Sequence, residues 1–164
     1  MSDPDTKTHL MDLIKKVHIA MLSTKGSDGH FHSRPMATSD VEFDGSLYFL
    51  TDDHSGKIHD LEREPEVIVT YADSGKQIYV ALRGKGELLH DKEAVKKHWT
   101  AAARGWFPKG SDDPNIAVIK VAIEDAEYWD APNGKMVVLI AYAKAMLTGE
   151  RPGNIGEHER VNIR

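Results

Sequence analysis

Asp44-Gly45-Ser46-Leu47-Tyr48-Phe49-Leu50-Thr51, running on into Asp52-Asp53-His54-Ser55-Gly56-Lys57, holds three structural signals in one short run. Asp44-Gly45 is a hairpin signal, because both residues tolerate positive φ. It would join a strand over His30 to Phe43 to a second over Ser46 to Thr51. The second strand is dense in aromatic and bulky apolar groups, which favour a half-buried pleated surface. The polar loop Asp52 to Gly56 interrupts it, and a short helix from Lys57 to Arg63 follows. Pro65 ends that helix, because the residue before a proline is pushed out of helical geometry.

Working outward, the N-terminal segment reads as a helix. Asp3 suits an N-cap, Pro4 the first helical position, and Leu10, Ile14 and Val17 recur at helical spacing while Lys15 and Lys16 face out. Near His18 the period changes to a short apolar strand, Ile19 to Ser23, then a turn at Lys25 to Gly29. Glu66 to Ala72 and Gln77 to His90 are two further strands, and Gly84 and Gly86 in the longer one mark a bulge or bend. Asp91 caps a helix over Lys92 to Ala103, and the loop Gly105 to Asn115 leads to a strand from Ile116 towards Trp129. Lys135 to Leu147 mixes strand and helix formers and is assigned as a helix ending at Gly149. Residues 1–150 are thus one domain, and 151–164 a polar tail, loose or ordered only on a partner surface. About six strands joined by short turns, with three or four helices, describe a mainly β, mostly antiparallel barrel with peripheral helices. The alternative is a doubly wound parallel sheet.

Composition narrows the function. The 164 residues are 40% apolar, enough for one packed core. A net charge of −5 with pI near 6.0 argues against a nucleic-acid partner. The absence of cysteine excludes disulfides, thiolate metal sites and cysteine catalysis. The acidic N-terminus does not begin a signal peptide, and the longest apolar run, Met136 to Tyr142, is too short to span a membrane. A cytoplasmic protein is expected.

Two stretches carry candidate chemistry. Where the strand ends at Thr51 and a helix begins near Lys57, backbone N–H groups and the helix dipole favour an anion, and the Ser55 hydroxyl and Lys57 ammonium would complete a phosphate cradle. The competing reading is that Ser55 simply caps the helix. In His32-Ser33-Arg34-Pro35-Met36, Pro35 belongs at an edge, a bulge or a ligand, and Arg34 offers forked donors to an anion or a carbonyl. An edge strand with a solvated arginine is the alternative. The histidines do not form a metal-binding pattern, since His30 and His32 share a strand without further ligands, and no metal is expected. Gly84-Lys85-Gly86 lacks a third glycine and a helix start, and Lys96-Lys97-His98 reads as the wet face of a helix.

Arg34-Pro35-Met36, then Leu47 to Thr51, then Ser55-Gly56-Lys57, a short helix and Pro65, is similar to the flavin-binding split barrels. These are the pyridoxamine 5′-phosphate oxidase-like proteins, and the general stress protein 26 branch in particular. Glu127-Tyr128-Trp129-Asp130 and Lys144 to Gly149 resemble that branch too, so the likeness runs from about residue 8 to about residue 150. It implies a six-stranded antiparallel split β-barrel, paired into a homodimer with FMN, or alternatively FAD, in clefts at the subunit interface. On that resemblance Ser55, Gly56 and Lys57 would hold the phosphate. His32, Ser33, Arg34, Pro35 and Met36 would line the ring and ribityl chain, with Phe49, Leu50 and Thr51 as an apolar wall. Trp106 and Trp129 are placed near the flavin by position alone, against the alternative that both pack under helices. The C-terminal Arg and His segment by which the oxidases receive pyridoxamine phosphate has no counterpart here, so that activity is not supported. The catalytic residues and substrate are left unassigned. The expectation is a redox-capable flavin-binding stress-type protein. The alternatives are an FMN-dependent oxidoreductase or flavin reductase acting on a small molecule, and a barrel repurposed for haem or for protein interaction.

Overall fold

The computed structural model describes residues 4–131, 144, 146–149 and 157–163. Helix α1 (Pro4–Val17) buries Leu10, Leu13 and Ile14 against the sheet, while Lys15 and Lys16 face out in its last turn. It stops at His18, whose φ of 68° lies in the left-handed region and whose N–H still bonds Ile14 O at 2.8 Å. The change of period expected there is therefore a backbone reversal. Asp3, the expected cap, lies outside the described residues.

Strands β1 (Ile19–Lys25) and β2 (Phe31–Ala37) form a hairpin with Met21 opposite Pro35 and Leu22 opposite Arg34. The expected strand to Phe43 therefore ends at Ala37. Strand β3 (Ser46–Asp52) does not pair with β2, which corrects the hairpin expected at Asp44-Gly45. The dipeptide does turn the chain, with Gly45 at φ 93°. Asp44, however, accepts from Ser46 N at 3.1 Å and Tyr48 Oη at 2.6 Å, and Gly45 O accepts from Ile123 N at 3.1 Å. Those bonds send β3 along a distant strand, and a dipeptide signal cannot name a remote partner.

Helix α2 (Gly56–Arg63) ends two residues before Pro65. Strands β4 (Glu66–Asp73), β5 (Ile78–Leu89) and β6 (Ile116–Asp130) follow. The helix expected over Lys92 to Ala103 is split into α3 (Lys92–His98) and a 3₁₀ turn, Ala101–Gly105. Asp91 caps α3 as expected, accepting from Glu93 N and Ala94 N, whereas Trp99 and Thr100 adopt extended geometry and Thr100 starts the second turn by accepting from Ala103 N. Among the described residues every pairing is antiparallel, in the order β2-β1-β4-β5-β6-β3. A seventh strand, β7 (Glu157–Asn162), pairs with the end of β6. The tail expected to be loose therefore contributes a strand, because the outer edge of β6 beyond β3 carries backbone groups that need partners. Most of the helix assigned to Lys135–Leu147 lies outside the described residues, though Lys144 and Met146–Thr148 are helical and Gly149 has the positive φ, 69°, of a helix stop. Among the described residues no helix is long and apolar enough to cross a membrane.

The inward positions of the strands meet α1 in one core that includes Ala20, Leu22, Phe49, Val69, Tyr71 and Ile119. The register of β5 against β6 shifts between Arg83 and Gly84. A Cβ at Gly84 would collide with the Ala122 carbonyl, so the bulge expected there requires glycine. Replacing Gly84 by Val should therefore destabilise the fold by about 1–3 kcal/mol in equilibrium denaturant unfolding. An unchanged midpoint and slope would show that the bulge tolerates a side chain.

Candidate functional site

The ends of β1, β2 and β3 and the segment after α3 enclose a cleft of about 450 Å³. Its walls are largely apolar, with Ile19, Pro35, Met36, Leu50, Ala103 and Phe107, and its polar groups include Thr51, Lys57, Ser39 and His98. An apolar slot with a few convergent polar groups is the usual form of a small-molecule or cofactor site.

At one end the start of α2 brings cations and hydroxyls together. Ser55 occupies the N-cap position with extended geometry, but its side chain makes no cap hydrogen bond. Its Oγ lies 3.3 Å from Thr51 Oγ1 and accepts from Lys57 Nζ at 3.1 Å. The capping alternative for Ser55 is thereby set aside, and the first-turn N–H groups of α2 receive nothing from that hydroxyl. Lys57 is partly buried in the cleft wall. Burial first, and the neighbouring Arg34 charge second, hold its ammonium below the usual lysine pKa, while Asp52 pulls the other way. Two cations set this close, with a neutral hydroxyl as hydrogen-bond partner for the lysine, make a site suited to an anion.

Arg34 itself is held from below. Its Nη1 donates to Thr24 Oγ1 at 2.7 Å and its Nη2 to Asp60 Oδ2 at 3.3 Å, while Thr24 donates to the same oxygen at 2.8 Å. Thr24 and Asp60 are both buried. Asp60 stands three residues after Lys57, on the same side of α2. The solvated-arginine alternative for Arg34 is thus replaced by a fixed guanidinium.

The residues singled out in the sequence divide into three groups. Pro35, Met36, Leu50, Thr51, Lys57 and Trp106 line the cleft. Arg34, Ser55 and Gly56 stand behind or beside Lys57 without lining it. The rest are elsewhere: Phe49 is fully buried in the main core, His32 bonds Asp28 at 3.1 Å, and Ser33 Oγ meets Ser23 Oγ at 2.7 Å. Trp129 is at the far end of β6 and stacks on His158 of β7, with centroids 4.9 Å apart. Trp106, by contrast, is 82% exposed at the cleft mouth.

The sequence places His98 on a wet helix face, and the structure corrects this: it is 3% exposed and lines the cleft. The signal was present, since His98 follows Val95 by three residues and so shares its buried face of α3. Thr38, Ser39 and, apart from Trp106, the Thr100–Phe107 segment escape the sequence reading, because a site assembled from strand ends and a remote loop has no local pattern.

An antiparallel split barrel with an anion-attracting helix start at an apolar cleft has the architecture of the FMN-binding split-barrel fold. The family model described as "Pyridoxamine 5'-phosphate oxidase like" matches residues 5–153, and the chain belongs to that family. It is 28% identical to General stress protein 26 of Bacillus subtilis over 135 residues, 80% of this chain and 93% of that protein. Among solved structures, a candidate general stress protein 26 from Jannaschia sp. CCS1 superposes with a TM-score of 0.75 at 27% identity, covering 98% of this chain and 99% of its own. The general stress FMN/FAD binding protein of Xanthomonas citri superposes at 0.69 and 24% identity over 81% of this chain and 94% of its own, a likeness of fold.

Replacing Asp60 by Ala removes the shared acceptor of Arg34 and Thr24. Stability should fall by about 2–3 kcal/mol in denaturant unfolding, between the cost of an ordinary lost hydrogen bond and that of breaking a fully buried ion pair. A loss under about 0.5 kcal/mol would show that the triad is dispensable.

Proposed function

We propose that this protein binds FMN, with FAD as the alternative cofactor, in the cleft between β2, β3 and the segment after α3, and that it is redox-capable with an unassigned small-molecule partner. The observation that carries this reading is the Lys57 site. A partly buried ammonium beside Arg34, hydrogen-bonded to a neutral hydroxyl at a helix start, suits a phosphate, and the apolar cleft beside it suits a flat ring system. Lys57, Ser55 and the first N–H groups of α2 would hold the phosphate, with Arg34 adding charge from behind. Pro35, Met36, Leu50 and Trp106 would flank the ring. The flavin would supply reversible electron transfer, and the protein its orientation and shielding from water.

The same reading extends to a homodimer. On the outer sheet face Met21 lies opposite Pro35 and Thr70, and Ile19, Met21, Ile68, Phe31, Tyr79 and Trp129 are all between 39% and 64% exposed. This face runs from the cleft, at Ile19 and Pro35, across to Trp129. A second copy laid against it would cover that apolar surface and carry its own Trp129 towards the first copy's cleft.

Titration of the purified protein with FMN, followed by quenching of flavin fluorescence, tests the reading directly. Saturation near one flavin per chain is expected, and absence of binding would remove it. Lys57→Ala should weaken binding by about ten- to a hundredfold, the equivalent of one charged hydrogen bond of about 1.5–3 kcal/mol. Met21→Glu combined with Ile68→Glu should convert a dimer to monomers in sedimentation analysis, and an unchanged mass would place the interface elsewhere.

A further inference from the structure

His98 stands in the cleft wall, and the phosphate-anchoring role of Lys57 leaves it without a function. Its ring stacks on Tyr48 with centroids 4.1 Å apart and planes inclined by 17°, which fixes the plane of the imidazole. Ser39 Oγ lies 3.0 Å from Nδ1, which fixes its rotation. Nε2 takes no hydrogen-bond partner among the described residues. Among the described residues the buried side-chain polar atom without a partner is Asp130 Oδ1, far along β6, while His98 lines the cleft. A histidine used only for packing would not need both of its other degrees of freedom fixed while one nitrogen faces a cavity.

The position along β3 is informative. Tyr48, which carries the stack, is three residues before Thr51, which meets Ser55 at the cationic end. At about 3.3 Å per residue, the backbone of Tyr48 lies about 10 Å along β3 from that of Thr51.

We propose that His98 Nε2 is the second polar anchor of the cleft, a protonatable contact to the carbonyl-bearing ring of the flavin whose phosphate lies at Lys57. This rests on the flavin reading above. With the Ser39 hydroxyl donating to Nδ1, the neutral ring carries its proton on Nε2 and donates to a carbonyl oxygen, and the imidazolium does so more strongly.

The charges around the ring set the sign of the effect. Burial, and then Lys97 on α3 itself, hold the imidazole below its usual pKa, while Asp44 on the turn before β3 raises it. Tyr48 from β3 and Ser39 from the segment after β2 are its neutral contacts, with Glu87 of β5 and Lys120 of β6 acting on Tyr48 and Asp44 behind them. The free protein therefore holds His98 neutral at neutral pH. A carbonyl acceptor favours the charged form, so flavin binding raises the pKa of His98. By linkage, affinity rises as the pH falls below the complex's pKa and levels off below that of the free protein.

The test measures FMN affinity by fluorescence quenching from about pH 8 to about pH 5.5 in the wild type and in His98→Gln, with His98→Phe as a second variant that keeps the stack on Tyr48. Titration of the FMN phosphate is common to all three, so their difference isolates His98. The wild type should tighten by about three- to tenfold more than either variant over that range. The His98 Cε1–H resonance should titrate at higher pH in the complex than in the free protein, a displacement that a purely structural histidine would not show. Profiles of folded variants that superpose on the wild type, or an unmoved resonance, overturn the assignment and leave the flavin site standing. Failure of the wild type to bind FMN at any pH overturns both.

Discussion

A strand of fifteen residues, β6, must satisfy backbone hydrogen bonds along two edges, and the architecture follows from how it does so. One edge is taken by β5 from Val118 to Trp129. The other is shared, with β3 along Ile116–Ala122 and β7 along Asp125–Asp130. That sharing separates β3 from its sequence neighbour β2. It leaves the ends of β2 and β3 facing one another, with little pairing to fill the space between, and the cleft occupies that space. The bulge at Arg83/Gly84 lets β5 follow β6 through the required coil, and the close approach of the Ala122 carbonyl explains why no side chain is tolerated there.

The cleft is thus a by-product of strand partnership, furnished afterwards with chemistry. Its cationic end depends on α2, which supplies Lys57 towards the cleft and, three residues on, Asp60 towards the interior. The buried Asp60 and Thr24 hold the partly buried Arg34 in place, so the positive charge behind Lys57 sits on a fixed side chain. The opposite end depends on α3 stopping at His98. Were the helix to continue through Trp99, the Thr100–Phe107 segment would not form the third wall.

Much of the fold was legible. Helix α1, the strands over 19–25, 46–52, 66–73, 78–89 and 116–130, the Asp91 cap and the glycine bulge all rest on periodicity, capping or turn chemistry that acts over a few residues. The errors share one cause. Asp44-Gly45 looked like a hairpin because the dipeptide fits one, yet its hydrogen bonds to Ser46, Tyr48 and Ile123 aim the chain at β6. The tail looked loose because Glu157–Asn162 is polar, yet an unpaired edge of β6 accepts it through backbone groups that do not depend on side-chain character. Of the candidate site, the cationic end was readable from Thr51 to Lys57 because a strand end, a loop and a helix start are contiguous in the chain. His98 was not read there, since two lysines before it outweighed its spacing from Val95.

The sequence by itself determined most of the elements, the mainly antiparallel class and the family. It also determined the residues that make one end of the cleft cationic, because these are local properties of neighbouring side chains. Which strands pair, which residues face one another across the cleft, and which polar groups are fixed or left open were decided only in the tertiary structure. Those facts depend on the competition of distant backbone edges for partners, and on the burial of Lys57 and His98, the latter against Ser39 at 59 residues' separation, which no window along the chain contains.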